Sequence, residues 1–167
     1  MFREMRRFKQ ALSEDETKKI LEDGKTGVIA VSGDDDYPYT VPINYVFHNG
    51  KIYMHCAKTG HKIDALNRNK RVSFCVIGQD TVAPEKFTSL YKSAVVFGQA
   101  RLLSEGSEYD EAIYALSKKY SPNETEERIM AEIQSSAGRF FMVAIDVDHM
   151  TGKECIELTR MRTNNKK

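Results

Sequence analysis

The apolar positions along the chain keep changing period, and the changes mark out its elements. Ser13-Glu14-Asp15-Glu16 is a capping box that opens a helix, with Glu16 at its third position, Ile20 and Leu21 as a modest apolar stripe and Gly24 as its stop. A continuous apolar run over residues 27–32 then predicts a buried strand, ended by the turn-rich Gly33-Asp34-Asp35-Asp36. Residues 39–47 predict a second strand, and Asn49-Gly50 is a strong hairpin signal. The returning strand, residues 51–57, alternates: Ile52, Met54 and Cys56 share one face, and Tyr53, His55 and Ala57 share the other.

Thr59-Gly60 turns the chain into a short helix over residues 61–67, anchored by Ile63 and Leu66. A strand over 72–77 follows, then a polar loop holding Asp80, Thr81, Pro84 and Glu85, then a long β-branched strand over 92–103 in which Gly98 predicts a bulge or sharp bend. Helical spacing returns over 107–119, with Tyr109, Ala112, Ile113 and Leu116 on one face, is broken at Pro122 and resumes over about 124–134. Strands over 140–147 and 154–158, joined by a Thr151-Gly152-Lys153 turn, are expected to close the chain, with a flexible tail over 159–167. Six or seven strands in hairpin order with helices at the periphery predict an α+β, mainly β fold: an antiparallel barrel, not a doubly wound parallel sheet.

Size and charge narrow the function. The 167 residues fit one domain, and 25 Lys plus Arg against 24 Asp plus Glu leave a net charge of +1, which gives no reason to expect nucleic acid or an anionic membrane as partner. The basic residues cluster at the two ends, 3–9 and 160–167, and are read as solvated. The charged start is followed by no apolar signal region, and no run approaches the ~20 apolar residues of a membrane span, so the expected location is the cytoplasm. Cys56, Cys75 and Cys155 form no C-x-x-C pair and read as small buried hydrophobes in a reducing compartment. The histidines, at 48, 55, 61 and 149, have no zinc spacing, and phosphate-loop, dinucleotide and nucleophile-elbow motifs are absent, so no metal is expected.

Three features carry chemistry. First, the short helix opens with His61 and Lys62 behind Gly60. Cations there oppose the helix dipole by ~0.3–1 kcal/mol each, and an anion at that end would turn both penalties into attractions. The two open readings are a phosphate site and a pair of side chains pointing into solvent. Second, His55 stands in an otherwise apolar strand one short turn earlier; such a histidine is either a hydrogen-bonded structural residue or a functional one. Third, Pro42 inside Val41-Pro42-Ile43-Asn44 removes a ladder donor, which marks an edge strand whose freed backbone could bond a planar heterocycle.

These segments together, Val41 to Asn44, Asn49 to Ala57, Gly60-His61-Lys62 and the later Tyr91-Lys92-Ser93-Ala94-Val95-Val96-Phe97-Gly98, resemble the flavin-binding split barrels related to pyridoxamine 5'-phosphate oxidase, and most of all the nitroimidazole-resistance branch. Residues 146–153 resemble that branch's closing hairpin. The resemblance implies a split barrel and a homodimer with flavin mononucleotide (FMN) at its interface. It implies that Val41, Pro42, Ile43 and Asn44 lie along the isoalloxazine ring and that His55, Cys56 and Ala57 lie near the ribityl chain and ring. His61 and Lys62 would take the phosphate, with Tyr91 and Ser93 adding contacts from either protomer. The chain departs from the name-giving oxidase in having His61-Lys62 for an Arg-Lys pair, and Leu158-Thr159-Arg160-Met161-Arg162 does not match that enzyme's substrate-binding C-terminus. Vitamin B6 oxidation is therefore not implied.

The expected function is that of an FMN-dependent oxidoreductase that reduces a small acceptor such as a nitroaromatic, with reduced nicotinamide nucleotide as a possible donor and His55 as the candidate catalytic proton donor. The alternatives are a non-enzymatic flavin binder and a haem-holding split barrel with His55 or His149 as axial ligand.

Overall fold

In the computed structural model, which describes residues 1–164, the chain builds one seven-stranded sheet in the order β2-β1-β5-β6-β7-β4-β3 with every pairing antiparallel. The strands are β1 (Thr26–Ser32), β2 (Pro38–Asn44), β3 (Val46–His48), β4 (Lys51–Ala57), β5 (Arg71–Ala83), β6 (Thr88–Leu103) and β7 (Phe140–Glu154). The helices are α1 (Glu14–Asp23), α2 (His61–Arg68), α3 (Ser107–Tyr120), α4 (Glu126–Ser135) and α5 (Ile156–Asn164). The sheet rolls around a core of Ile29, Ile52, Met54, Phe74, Val76, Val96 and Ile145, and does not close. This is the expected split barrel. No helix among the described residues is long and apolar enough to cross a membrane.

Local chemistry places most elements where the pattern put them. Ser13 Oγ accepts from the Glu16 N–H at 3.2 Å while Glu16 takes the Ser13 N–H at 2.9 Å, the reciprocal cap that starts α1. Asn49 and Gly50 both have positive φ, 49° and 75°, as a two-residue β3–β4 turn requires. The pairing of β6 with β7 slips between Phe97 and Gly98. A Cβ at Gly98 would lie 2.3 Å from the Asp146 carbonyl oxygen, so only glycine allows the bend there. The alternation in β4 separates two cores: Ile52, Met54 and Cys56 face the barrel interior, and Tyr53 joins a smaller cluster with Met142, Ala144 and the buried face of α3.

The sequence pattern misleads at four places. The single strand expected over 39–47 is two, broken at Tyr45. Tyr120, at the end of α3, takes the Tyr45 N–H at 3.0 Å, and its proton is shared between the carbonyls of Tyr45 and Lys25. One stretch of chain thereby pairs with β1 before the break and with β4 after it. The polar loop at 80–85 is largely a ribbon, because β5 and β6 stay paired to Ala83↔Thr88; both of its faces meet water, so it has no apolar alternation to reveal it.

The expected turn at Thr151-Gly152-Lys153 lies inside β7, where Gly152 pairs with Ala94. Glycine is needed there because α1 packs so close that a Cβ would sit 2.3 Å from Thr17 Oγ1. Finally, the strand expected over 154–158 and the first part of the expected tail are helix α5; residues 165–167 of that tail lie outside the described residues. Arg162 of α5 reaches back to the buried Glu154 carboxylate at 2.8 Å and to the Ala11 carbonyl at 3.3 Å, a long-range anchor that no local pattern announces.

α3 is pinned to the sheet by charge. Arg101 binds Glu108 (2.8 and 2.9 Å) and Asp146 (2.6 and 3.1 Å) with both arms of its guanidinium, and Lys51 and the Tyr53 hydroxyl also donate to Glu108, at 2.8 and 3.1 Å. Hydrogen bonds from Arg101 and then Lys51 pull the Glu108 carboxyl down to about 2. A carboxylate depressed on folding contributes stability that is present above its unfolded value of about 4.3 and is lost as pH falls toward the folded value. Glu108→Gln is expected to cost about 1–2 kcal/mol at neutral pH, modest because the groups are about one third exposed. Urea titrations across an acid pH series check this: the wild type should lose stability from about pH 4.5 downward more steeply than the variant.

Candidate functional site

Most of the residues singled out in the sequence meet along one seam, where the edge strand β2 and the far end of β4 face the start of α2. Among the described residues nothing pairs with the outer side of β2, which bonds to β1 in the register Val41↔Ile29, Pro42↔Val28, Ile43↔Gly27, Asn44↔Thr26. Val41 and Ile43 turn inward against the core, while Pro42 and Asn44 face out. Across the seam, His55, Cys56 and Ala57 end β4 opposite Met142, Phe141 and Phe140. His55 points away from the barrel core, its ring edge-on to Phe140 at 5.4 Å, and Ala57 is exposed beside it. Cys56 is buried in the barrel interior, so it can offer a ligand only its backbone.

α2 begins after Gly60, whose φ of +118° is open to glycine alone and whose carbonyl accepts from Ile63 and Asp64. No side chain caps this end, so the N–H groups of His61 and Lys62 have no partner among the described residues. Lys62 is half-buried, forms no ion pair among the described residues and is close enough for its charge to be felt at both His55 and Cys56. His61 takes another direction. It stacks on Tyr39 at 4.1 Å and lies 3.5 Å from Asp34, which Arg68 holds at 2.7 Å, so it ties α2 to the start of β2. Burial, and secondarily the Lys62 charge, push the His55 imidazole below the usual histidine range, and burial pushes the Cys56 thiol up. The shift favours the neutral imidazole at His55.

Tyr91 and Ser93 do not join this group. They lie on β6, separated from β2 by β1 and β5, three inter-strand steps or about 14 Å. Tyr91 lies under the Lys153 ammonium (5.5 Å) and lines a separate cavity with Arg7, Gln10 and Phe87. No group of three or more His, Cys, Asp or Glu side chains among the described residues is placed to hold a metal, consistent with the donor set at the seam.

Sequence reasoning missed what α3 and α4 bring. A cavity of about 250 Å³ opens beside His55 and Asn44, walled by Ile113, Leu116, Ser117 and Tyr120 of α3, by Ile133 of α4 and by Phe140. The amphipathic spacing of α3 marked Ile113 and Leu116 as buried; nothing local shows that Tyr120 reaches Tyr45, 75 residues earlier.

Comparison with known proteins fits this geometry. The sequence profile of the pyridoxamine 5'-phosphate oxidase family matches residues 13–154. The chain belongs to that family. No curated protein gives a significant sequence match. Among solved structures of similar fold is a Bacteroides thetaiotaomicron protein assigned to 5-nitroimidazole antibiotic resistance, 19% identical, with a TM-score of 0.72 over 86% of each chain. A conserved hypothetical protein of Mycobacterium tuberculosis, 20% identical, gives 0.79 over 93% of this chain and 92% of its own. An FAD-binding protein of Mesorhizobium loti, 24% identical, gives 0.61 over 87% and 96%. As a member of the pyridoxamine 5'-phosphate oxidase family, the chain keeps the family's barrel from α1 through β7.

Proposed function

We propose that the protein is an FMN-dependent oxidoreductase that passes electrons to a small organic acceptor and works as a homodimer. The observation that carries this reading is Lys62: a half-buried cation with no carboxylate partner among the described residues, on the unsatisfied first turn of a helix, beside the outward-facing end of β4. An ammonium without a carboxylate partner among the described residues, next to free N–H groups, fits a phosphate. Pro42 sits in an edge ladder with its nitrogen turned outward, and by the alternation of an antiparallel strand the Pro42 carbonyl and the backbone of Asn44 share that open edge of β2 and are available for the polar rim of a flat heterocycle. Flavin-binding proteins among the structural neighbours support the same cofactor class.

When bound, a flavin would supply two-electron redox chemistry between a donor such as a reduced nicotinamide nucleotide and the acceptor. The chain's own residues bind and orient. Lys62 and the first N–H groups of α2 would hold the phosphate, β2 would line the ring, and His55 would present its N–H to the acceptor and, once protonated, deliver a proton to it. What supports the dimer is the resemblance, in which Tyr91 and Ser93 would contact the cofactor across the interface, and the β5–β6 ribbon, where Val82 is 67% exposed and Phe87 98% exposed.

Lys62→Ala should weaken binding of FMN by roughly 1.5–3 kcal/mol while leaving riboflavin, which lacks the phosphate, nearly unaffected; calorimetric titration of apoprotein with both ligands measures this, and equal losses would remove the phosphate from Lys62. His55→Ala should retain flavin but slow reduction of a nitroaromatic or quinone by at least about tenfold per bound flavin. Because its value is depressed, the protonated His55 that feeds the acid step forms only as pH drops. The wild-type rate should therefore rise toward acid with an inflection below about 6.5, a limb absent from the variant. Unaltered turnover and pH profile in the variant would leave His55 a structural residue. Light scattering should show a dimer at micromolar concentration, shifted toward monomer by Phe87→Asp; a stable flavin-loaded monomer of the wild type would overturn the shared site.

A further inference from the structure

The helical pair α3 and α4 is acidic in a chain that is otherwise balanced. From Ser107 to Ser135 it carries seven acidic side chains against three basic ones, while the whole chain stands at +1. All three basic side chains are engaged: Lys119 donates to the Gly24 carbonyl, Arg128 pairs with Glu124 at 3.0 Å, and Lys118 lies 3.8 Å from Glu126. Asp110 and Glu111, both exposed, form no ion pair among the described residues. These two carboxylates and that of Glu126 stand at the open side of a second cavity, of about 620 Å³, between the two helices. Tyr109, Tyr114, Met130 and Ile133 give it an apolar lining, which Gln134 and Ala137 complete. The Tyr114 hydroxyl donates to Glu126 at 3.0 Å and ties α3 to α4 there. Only Ile133 is shared with the cavity beside His55.

Tyr109 independently marks this space as a ligand site. It is 6% exposed, and its hydroxyl has no hydrogen-bond partner among the described residues. A buried polar group normally finds a partner, and a hydroxyl on a cavity-lining residue gains one from what enters the cavity. Burial, and secondarily the charge of Asp110, raise this hydroxyl above the ordinary tyrosine value, so it stays protonated and Asp110 is close enough to act on it. An ammonium placed at Asp110 has an N–H left to donate to the Tyr109 oxygen. We infer that the acidic cavity between α3 and α4 is a binding site for arylalkylammonium ions. The aromatic ring packs among Tyr114, Met130 and Ile133, and the ammonium sits between Asp110, Glu111 and the Tyr109 hydroxyl. Aromatic and thioether neighbours suit a planar ring. The volume falls within the ~300–1,000 Å³ of pockets that take small organic ligands, and the carboxylates repel an anion of the same shape. The site lies apart from the cofactor seam and does not depend on the oxidoreductase reading.

Three indoles of nearly one shape test this: tryptamine, tryptophol and indole-3-propionate, respectively cationic, neutral and anionic at pH 7. The chain has no tryptophan, so indole fluorescence in equilibrium dialysis reports the ligand alone. Tryptamine should bind at least about tenfold tighter than indole-3-propionate, with tryptophol between them. The double variant Asp110→Asn, Glu111→Gln should weaken tryptamine by at least about fivefold and leave tryptophol within about twofold. Met130→Lys, at a position 43% exposed, sets an ammonium at the cavity and should weaken tryptamine by at least about tenfold. Tyr109→Phe should weaken tryptamine about threefold but not its N,N,N-trimethyl analogue, which has no ammonium N–H to donate. Melting curves establish that each variant is folded, and the double variant and Met130→Lys alter only exposed side chains. Tryptamine that binds no better than indole-3-propionate, or whose binding survives both the double variant and Met130→Lys, overturns the proposal. So does a double variant that changes the oligomeric state in light scattering, because the acidic face then belongs to a second copy of the chain.

Discussion

The architecture turns on one hydroxyl. Tyr120 occupies the place where a strand would otherwise run unbroken from β2 into β3, and it takes both backbone groups of Tyr45 itself. A residue released from the ladder must find other partners for its N–H and C=O, and a tyrosine at the end of α3 provides them. The Tyr45 side chain completes the joint by donating to the Leu21 carbonyl at 2.7 Å, and Lys119 lies over its ring at 4.3 Å while donating to the Gly24 carbonyl at 2.6 Å. Two neighbouring residues of α3 thus fasten the C-terminal end of α1, the entry to β1 and the corner between β2 and β3. The corner lets one stretch of chain serve both halves of the barrel, and the seam beyond it is where the candidate site lies.

The barrel was legible because most of its elements are specified locally. A capping box, an Asn-Gly turn, a period-two strand and a glycine in a long β-branched run each act over a few residues, and each appears in place. The misreadings share the opposite character. The break at Tyr45 depends on a residue 75 positions away, and α5 depends on a contact between Arg162 and Ala11 across 151. Gly152 reads as a turn in the sequence because glycine answers two needs, positive φ and close approach, and only the packing of α1 shows that the second applies.

The site divides along the same line. Val41 to Asn44, His55 to Ala57 and Lys62 lie on elements joined by short connections, which is why resemblance and local chemistry could group them from the sequence. His61 was grouped with Lys62 on sequence adjacency, but consecutive residues at a helix start diverge by about 100°, and its ring instead meets Tyr39 and Asp34. The roof of the cavity comes from helices that follow β6 and pack on the outer face of β4 and β7. Its polar members, Ser117 and Tyr120, sit in ordinary amphipathic sequence, where nothing distinguishes a residue that faces a ligand from one that faces water.

An open sheet carries a hazard at its edges, because any bare row of N–H and C=O groups invites another chain to add itself as the next strand. Here the two outermost strands are poor templates. β2 has prolines at 38 and 42, each removing a donor and adding a ring where an incoming strand would seat, and β3 is only three residues long. Pro42 therefore has a further consequence: it makes the edge resist the repetitive strand addition that leads to fibrils. Replacing it with a β-branched residue would restore a continuous hydrogen-bonding edge, and with it a route to aggregation.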